Sequence, residues 1–261
     1  MRVALVTGAA RGIGAATVRA LAADGWAVLA VDIAGDDPVL PYRMGTRAEL
    51  DSLVASLDAG DRVVAHVADV RDVGALQAAV AEAERRWSGL DAAIGAAGVV
   101  AGGGTAWELS LAQEQAVLDV NLGGVMNLAR AAVPALLRRP EPRTGRFLAV
   151  ASAAAVRGFP NLAAYCAAKA GVVGFVRALA AELGTTGVTA NAVSPGSTDT
   201  PILAESARLY GLDSSQVMAR HQPIGRLLEP AEVAAVLVFL AGASSTAMTG
   251  AAVPVDGGLA L

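Results

Sequence analysis

The sequence has few of the residues that stabilise secreted proteins or hold metal ions. Its 261 residues include one cysteine, Cys166, so no internal disulfide can form, which fits a reducing cytoplasm. The two histidines, His66 and His221, have no cysteine or histidine partners at ligand spacing, so we expect no metal site. Charged residues make up 17% of the chain, and acids and bases are interleaved at a net charge of -4. No basic stripe indicates a nucleic acid or an anionic lipid as a partner.

Long hydrophobic runs are also missing. The apolar run that precedes the first glycine is too short for the core of a signal peptide and has no cleavage-type ending. The most apolar later stretch, residues 234–243, has about half the length needed to span a bilayer. We therefore expect no membrane segment and a location in the cytoplasm.

The sequence contains a regular alternation of apolar β-type runs and helical patterns, and 54% of its residues are hydrophobic. Strands are predicted at residues 2–7, 27–32, 62–68, 90–97, 146–152, 189–193 and 252–255. Helices are predicted from 12 to about 24, from the capping box Thr46–Glu49 to a stop near Gly60, and over 73–87. This alternation predicts an α/β fold with one doubly wound, Rossmann-like parallel sheet and helices on both faces. Without a repeat or a low-complexity linker, residues 1–261 are interpreted as a single domain.

Residues 33–46 interrupt this alternation. They contain two prolines and two glycines without periodicity, and they are long for a βα connection, where about 2–6 residues is usual. One interpretation is a surface insertion. The other is a flap over whatever binds at the end of the second strand.

A glycine-rich turn follows the first predicted strand and opens a helix. Gly8, Gly12 and Gly14 allow a sharp turn and a close approach to a pyrophosphate, next to unpaired N–H groups of the helix. Asp32 ends the second predicted strand, where an acid binds the adenosine ribose hydroxyls and repels a 2′-phosphate. Arg11 is a weak signal for NADP, but no base directly follows Asp32, so NAD is favoured.

These features belong to a longer series of motifs that resembles the short-chain dehydrogenase/reductase family along the whole chain. The series continues with Ala68-Asp69-Val70, Gly95-Ala96-Ala97-Gly98, Asn121-Leu122-Gly123 on a long central helix, Ser152, Tyr165-Cys166-Ala167-Ala168-Lys169, Asn191, Ser194-Pro195-Gly196 and Val255-Asp256-Gly257-Gly258. Ala96 departs from the family pattern, which commonly has asparagine there.

The chemistry of alcohol oxidation explains the tyrosine–lysine pair. Removing hydride requires a base for the hydroxyl proton, and a free tyrosine is mostly protonated at neutral pH. Lys169 follows Tyr165 by one helical turn, so an ammonium and a positive nicotinamide ring can both favour the phenolate. Lowering the pKa of Tyr165 by about three units requires about 4 kcal/mol.

The resemblance implies the individual roles. Tyr165 is the general acid/base, Lys169 binds the nicotinamide ribose, Ser152 binds the substrate oxygen, and Asn121 holds a water that connects Lys169 to solvent. Thr200 binds the carboxamide of the cofactor. The implied NAD-binding residues are Gly8, Arg11, Gly12, Ile13, Gly14, Asp32, Asp69, Val70, Ala97, Gly98, Tyr165, Lys169, Pro195, Gly196, Thr198 and Thr200.

Residues 33–46 further resemble the mycofactocin-dependent subgroup of the family. This resemblance implies an NAD that stays buried beneath the insertion, an external redox partner (mycofactocin) that recycles it, and, from the family as a whole, a homotetramer. A lid over residues 200–224 and apolar residues including Val99, Val156 and Phe159 favour a hydrophobic secondary alcohol or ketone. The alternatives are an NADPH-dependent 3-oxoacyl-carrier-protein reductase and a non-catalytic NAD-sensing module.

Overall fold

The computed structural model describes all 261 residues and places seven strands in one parallel sheet. The strands are β1 (Val3–Thr7), β2 (Ala27–Asp32), β3 (Val63–Val67), β4 (Ala92–Gly95), β5 (Arg146–Val150), β6 (Thr189–Pro195) and β7 (Ala252–Val255). They lie in the order β3-β2-β1-β4-β5-β6-β7, and every neighbouring pair is parallel. Strands β2 and β3 lie on one side of β1, and β4 to β7 follow one another on its other side. The strand order therefore reverses between β1 and β4, and a crevice forms at the carboxyl ends of these two strands.

Eight α-helices cover the two faces of the sheet. They are α1 (Gly12–Ala23), α2 (Arg47–Ala55), α3 (Val73–Trp87), α4 (Leu111–Leu118), α5 (Gly124–Arg138), α6 (Ala163–Glu182), α7 (Pro201–Leu209) and α8 (Pro230–Ala241). Alternate residues of β1 belong to different cores, because Val3 and Leu5 pack with α3, α5 and α6 while Ala4 and Val6 pack with α1, α2 and α8. The predicted doubly wound α/β fold is confirmed.

The structure differs from the predicted elements in two places. Helix α2 ends at Ala55, and Gly60 begins a short 3-10 turn instead of ending the helix. The expected long central helix is divided into α4 and α5 by a π-helical segment, Asp119–Gly123. Such a segment carries one extra residue in its turn and is frequent at functional sites.

Two helical stretches, Leu111–Arg138 and Ala163–Glu182, are long and apolar enough to cross a membrane by length and composition alone. Both pack against the sheet, where Leu128, Leu136, Val172 and Val176 are buried in the larger core. Their apolar character is therefore accounted for by packing inside this fold.

Candidate active site

The main cavity lies at the carboxyl ends of the strands. It is lined by every catalytic and cofactor-binding residue predicted from the sequence except Asn121. The segments that the sequence indicated as a flap and a lid contribute Ile33, Asp37, Met44 and Gly45 from 33–46 and Ile202, Ser206 and Met218 from 200–224. The lining residues that the sequence did not indicate include Arg71, Val150, Leu162 and Leu259.

The glycine-rich turn brings backbone close to this cavity. Gly8 has φ +67°, and a Cβ there would lie 2.6 Å from the Cα of Ala97, while a Cβ on Gly14 would lie 2.0 Å from the Gly8 carbonyl oxygen. No side chain caps the amino end of α1, and its first turn holds no acid. The unpaired N–H groups there suit the pyrophosphate of a dinucleotide, so the residues present fit this cofactor.

Asp32 is held rigidly at the end of β2. Its side chain is 7% exposed and accepts hydrogen bonds from the backbone N–H of Ala10 (2.9 Å) and of Ala34 (3.1 Å). Gly45 closes over it, since a Cβ at that position would lie 2.9 Å from Oδ1 of Asp32. This carboxylate lines the cavity with lone pairs that can accept hydrogen bonds from a ribose diol.

Residues 33–46, which we call the strap, cross one side of the cavity. At the outer end, Asp37 of the strap is buried and pairs with Arg71 at 2.7 Å. The same guanidinium pairs with Asp69 at 2.7 Å. Asp69, expected to bind NAD, therefore directs its carboxylate to Arg71. The long-range partner of Arg71, Asp37, has no signal in the sequence.

The other end of the strap is bonded to two further segments. The Tyr42 hydroxyl accepts a hydrogen bond from the Val100 N–H at 2.9 Å, and Arg11 donates to the Arg43 carbonyl at 2.8 Å. Burial raises the pKa of Tyr42 to about 12, so its hydroxyl stays neutral. The strap thus contacts the segment after β3 at one end and the loop after β4 at the other, and residues between these contacts line the cavity.

Tyr165 and Lys169 project from the first turns of α6 into the same cavity as Ser152, which follows β5. Nζ of Lys169 lies 5.7 Å from the centre of the Tyr165 ring and donates to the Val150 carbonyl at 2.8 Å. Burial raises the pKa of Tyr165, and the nearby Ser152 hydroxyl opposes this rise. Burial is the largest influence on this phenol, and it opposes the lowering of the pKa that the sequence predicts for the pair with a positive nicotinamide ring bound.

Lys169 is the only lysine in the chain, and burial lowers its pKa to about 8. In nucleotide-free protein labelled with ¹³C at the lysine ε-carbon, we expect one resonance with a titration midpoint near pH 8. Since the folded pKa lies below the unfolded one, Lys169 penalises the folded state below pH 8, and this penalty disappears as the pH rises from about 8 to about 10.5. A midpoint above pH 10 contradicts the buried position of the amine.

Asn121 lies in the π-helical segment and is fully buried. Its side chain accepts from the Val99 N–H at 2.9 Å and donates to the Val99 carbonyl at 2.8 Å. A Cβ on Gly98 would lie 3.0 Å from Oδ1 of Asn121 and 3.7 Å from Nζ of Lys169. The amide therefore fixes the loop after β4 beside Lys169 but does not contact the lysine itself.

Thr200 begins the lid, residues 200–224, as the N-cap of α7. Its hydroxyl accepts from the Leu203 N–H at 3.4 Å and donates to the Thr198 carbonyl at 3.2 Å. Its methyl group lies 3.3 Å from the position of a Cβ on Gly12. The base of the lid thus contacts the glycine-rich turn, and Thr200 both caps a helix and lines the cavity.

The remaining lining is mainly apolar. Of the apolar residues expected there, Val99 and Phe159 line the cavity, as do Leu203 and Tyr210 of the lid, whereas Val156 does not. Val156 is a correction with a clear reason, because it follows the short 3-10 turn Ala153–Ala155 and is 72% exposed.

Comparisons with known proteins agree with this geometry. The family model described as enoyl-(acyl carrier protein) reductase matches residues 8–260. The short-chain reductase protein NovJ of Streptomyces niveus is 39% identical over 98% of this chain and 93% of its own length. The chain belongs to the short-chain dehydrogenase/reductase family.

Two further relatives describe the range of this family. The cis-4-hydroxycyclohexanecarboxylate dehydrogenase of Sinomonas cyclohexanicum is 37% identical over 98% of this chain and 96% of its own length. The crystal structure of carveol dehydrogenase from Mycobacterium avium in complex with NAD has a TM-score of 0.91 and 31% identity, and the match covers 99% and 97% of the two chains. As a short-chain dehydrogenase/reductase, the chain is an NAD(P)-dependent oxidoreductase that acts on small molecules. No group of three His, Cys, Asp or Glu side chains could hold a metal ion.

Proposed function

We propose that this enzyme transfers a hydride between NAD and a hydrophobic secondary alcohol or ketone. The observation that carries the proposal is the shared cavity. Ser152, Tyr165 and Lys169 line it together with the uncapped amino end of α1, so a dinucleotide held there and a substrate oxygen can meet.

The proton chemistry follows from the side chains. Bound NAD supplies the nicotinamide ring that accepts or donates the hydride. Ser152 donates a hydrogen bond to the substrate oxygen, and Tyr165 exchanges the proton with it. Lys169 orients the nicotinamide ribose, and its positive form favours the Tyr165 phenolate. The Asn121 side chain holds the loop that carries Gly98 and Val99 in position next to Lys169.

Four observations support NAD as the cofactor. Asp32 lines the adenosine side of the cavity, where a negative carboxylate repels a 2′-phosphate. Gly45 of the strap closes over this carboxylate and restricts the space for an additional phosphate. Arg71, a base at this end, is bonded to two carboxylates, Asp37 and Asp69. Arg11 donates to a carbonyl of the strap.

The cavity lining supports an uncharged substrate. We assign one part of the cavity to the substrate and call it the substrate half. Its wall is apolar and consists of Val99, Phe159, Ile202, Leu203 and Tyr210. Lys169 is the one cation next to Ser152 and Tyr165 in this lining, and the proposal assigns it to the nicotinamide ribose, so no cation remains there for a substrate carboxylate or phosphate. The name of carveol dehydrogenase points to a cyclic alcohol as the substrate class, and we extend that class to this enzyme.

The strap supports membership of the mycofactocin-dependent subgroup. Its contacts at Arg71, Val100 and Arg11 lie on three segments around the cavity, so NAD bound beneath it could leave only after these contacts break. In this proposal NAD remains bound. Mycofactocin reoxidises the bound NADH by entering the cavity from the side that the substrate uses. The single cysteine is consistent with a cytoplasmic location.

The surface of α6 supports a homotetramer. Its exposed positions carry small side chains at Ala163, Ala167, Ala170 and Gly174, and a helix of another subunit could approach this face closely.

Turnover of a series of secondary alcohols tests the proposed function. Cyclic alcohols such as cyclohexanol should reduce the enzyme-bound NAD, with an artificial electron acceptor present to reoxidise it. Turnover only with NADPH and a 3-oxoacyl thioester would support the carrier-protein reductase alternative. NAD binding without turnover of any alcohol or ketone would support the NAD-sensing alternative.

A further inference from the structure

The end of α7 closes one side of the substrate half through contacts between three backbone segments. A Cβ on Gly102 would lie 2.0 Å from the Asn161 carbonyl oxygen, and the Gly103 N–H donates to the same oxygen at 3.1 Å. The Tyr210 hydroxyl donates to the Pro160 carbonyl at 2.7 Å. The loop after β4, the turn before α6 and the lid are therefore in direct contact on this side of the cavity.

Tyr210 is the part of this closed side that faces the substrate. It lines the cavity together with Phe159 and Leu162. Its neighbour Leu209 instead packs against Gly103, where a Cβ would lie 3.4 Å from the leucine side chain. The hydroxyl of Tyr210 thus fixes its ring to the turn before the catalytic helix, while the adjacent Leu209 packs against the loop after β4.

We propose that Tyr210 determines specificity by limiting the size of the substrate. The ring forms the end wall of the substrate half, and the hydrogen bond to Pro160 holds this wall in position. The inference rests on the proposed function, because it takes the cavity as the site of an uncharged alcohol or ketone. Loss of the ring removes the wall and makes space for a second fused ring, whereas loss of the hydroxyl alone leaves the wall largely in place.

Equilibrium binding of two ketones to the NADH-loaded enzyme tests this role. To prevent oxidation of NADH by the ketone, every protein in this test also carries Tyr165→Phe, and cyclohexanone and the fused bicyclic ketone 2-decalone are titrated while NADH fluorescence is recorded. We expect Tyr210→Ala to shift the ratio of the two dissociation constants by about 20-fold towards 2-decalone. Tyr210→Phe should leave the ratio within about threefold of the wild-type value. An unchanged ratio in Tyr210→Ala overturns the proposal.

The controls separate this proposal from the proposed function. Leu111→Ala changes an 82% exposed side chain on α4 outside the cavity and should keep the wild-type ratio. If Tyr210→Ala fails to bind NADH, Tyr210→Leu replaces it, and a shift in the same direction supports the wall while an unchanged ratio overturns it. Ketone binding does not require turnover, so a wild-type enzyme that binds both ketones but turns over neither contradicts the proposed function only. Binding of neither ketone overturns both.

Discussion

Replacing Tyr165 by phenylalanine lowers the rate of alcohol oxidation about 1,000-fold while NAD remains bound. The substitution removes the hydroxyl that exchanges a proton with the substrate and keeps the aromatic ring that packs at the start of α6. Because burial raises the pKa of Tyr165, the wild-type enzyme should oxidise alcohols faster as the pH rises towards the alkaline range. Tyr165→Phe should lose this pH dependence. Single-turnover reduction of bound NAD measures both effects.

NAD binding provides the control for this variant. Tyr165→Phe purified without added cofactor should hold about one NAD or NADH per chain, as the wild type should, since only one hydrogen bond to the cofactor is lost. An enzyme that keeps more than a tenth of its turnover without the hydroxyl would exclude Tyr165 as the general acid/base. It would leave Ser152 as the remaining hydroxyl next to the substrate.

The second large effect concerns the strap. The double variant Asp37→Asn with Tyr42→Phe should increase the rate of NAD dissociation about 100-fold. It removes one anchor at each end of the strap, and each such bond contributes about 1.5 kcal/mol. Asp37→Asn leaves the ion pair between Arg71 and Asp69 in place, so this part of the cavity lining is preserved. Exchange of bound NAD for an isotopically labelled NAD measures the rate.

A matched control comes from a surface ion pair of α2. Arg47→Met breaks the exposed pair with Asp51, which lies outside the cavity, and should leave the exchange rate unchanged. If the double variant exchanges NAD no faster than this control, the strap does not limit cofactor release. The chain would then be an ordinary short-chain dehydrogenase/reductase with an exchangeable cofactor.

The parts of the fold and site that the sequence predicts are those encoded by local patterns. The glycine-rich turn, the apolar strands and the spacing of Tyr165 and Lys169 each depend on neighbouring residues, and the structure places them in one cavity. The pair between Asp37 and Arg71 and the bond from Val100 to Tyr42 join residues far apart in the chain. No local pattern specifies such partners, so the anchors of the strap could be found only in the folded protein.

The surroundings of Lys169 show a second limit of sequence reasoning. The spacing of Tyr165 and Lys169 places both side chains on one face of α6, but it does not determine the hydrogen-bond partner of the amine. In the fold the amine is bonded to Val150 and is itself buried. Similarly, the motif around Asn121 predicts its side chain near the site, while the π-helical segment that holds it between α4 and α5 has no signal in the sequence.

Identification of the nucleotide that stays with the purified enzyme tests the central claim most directly. The protein is purified without added cofactor, dialysed exhaustively and denatured, and the released nucleotide is identified by mass and quantified. The account predicts about one NAD or NADH per chain, because Asp32 selects against a 2′-phosphate and the strap retains the cofactor. Release of NADP or NADPH would contradict the role given to Asp32, and an empty protein that later binds NAD would contradict retention by the strap.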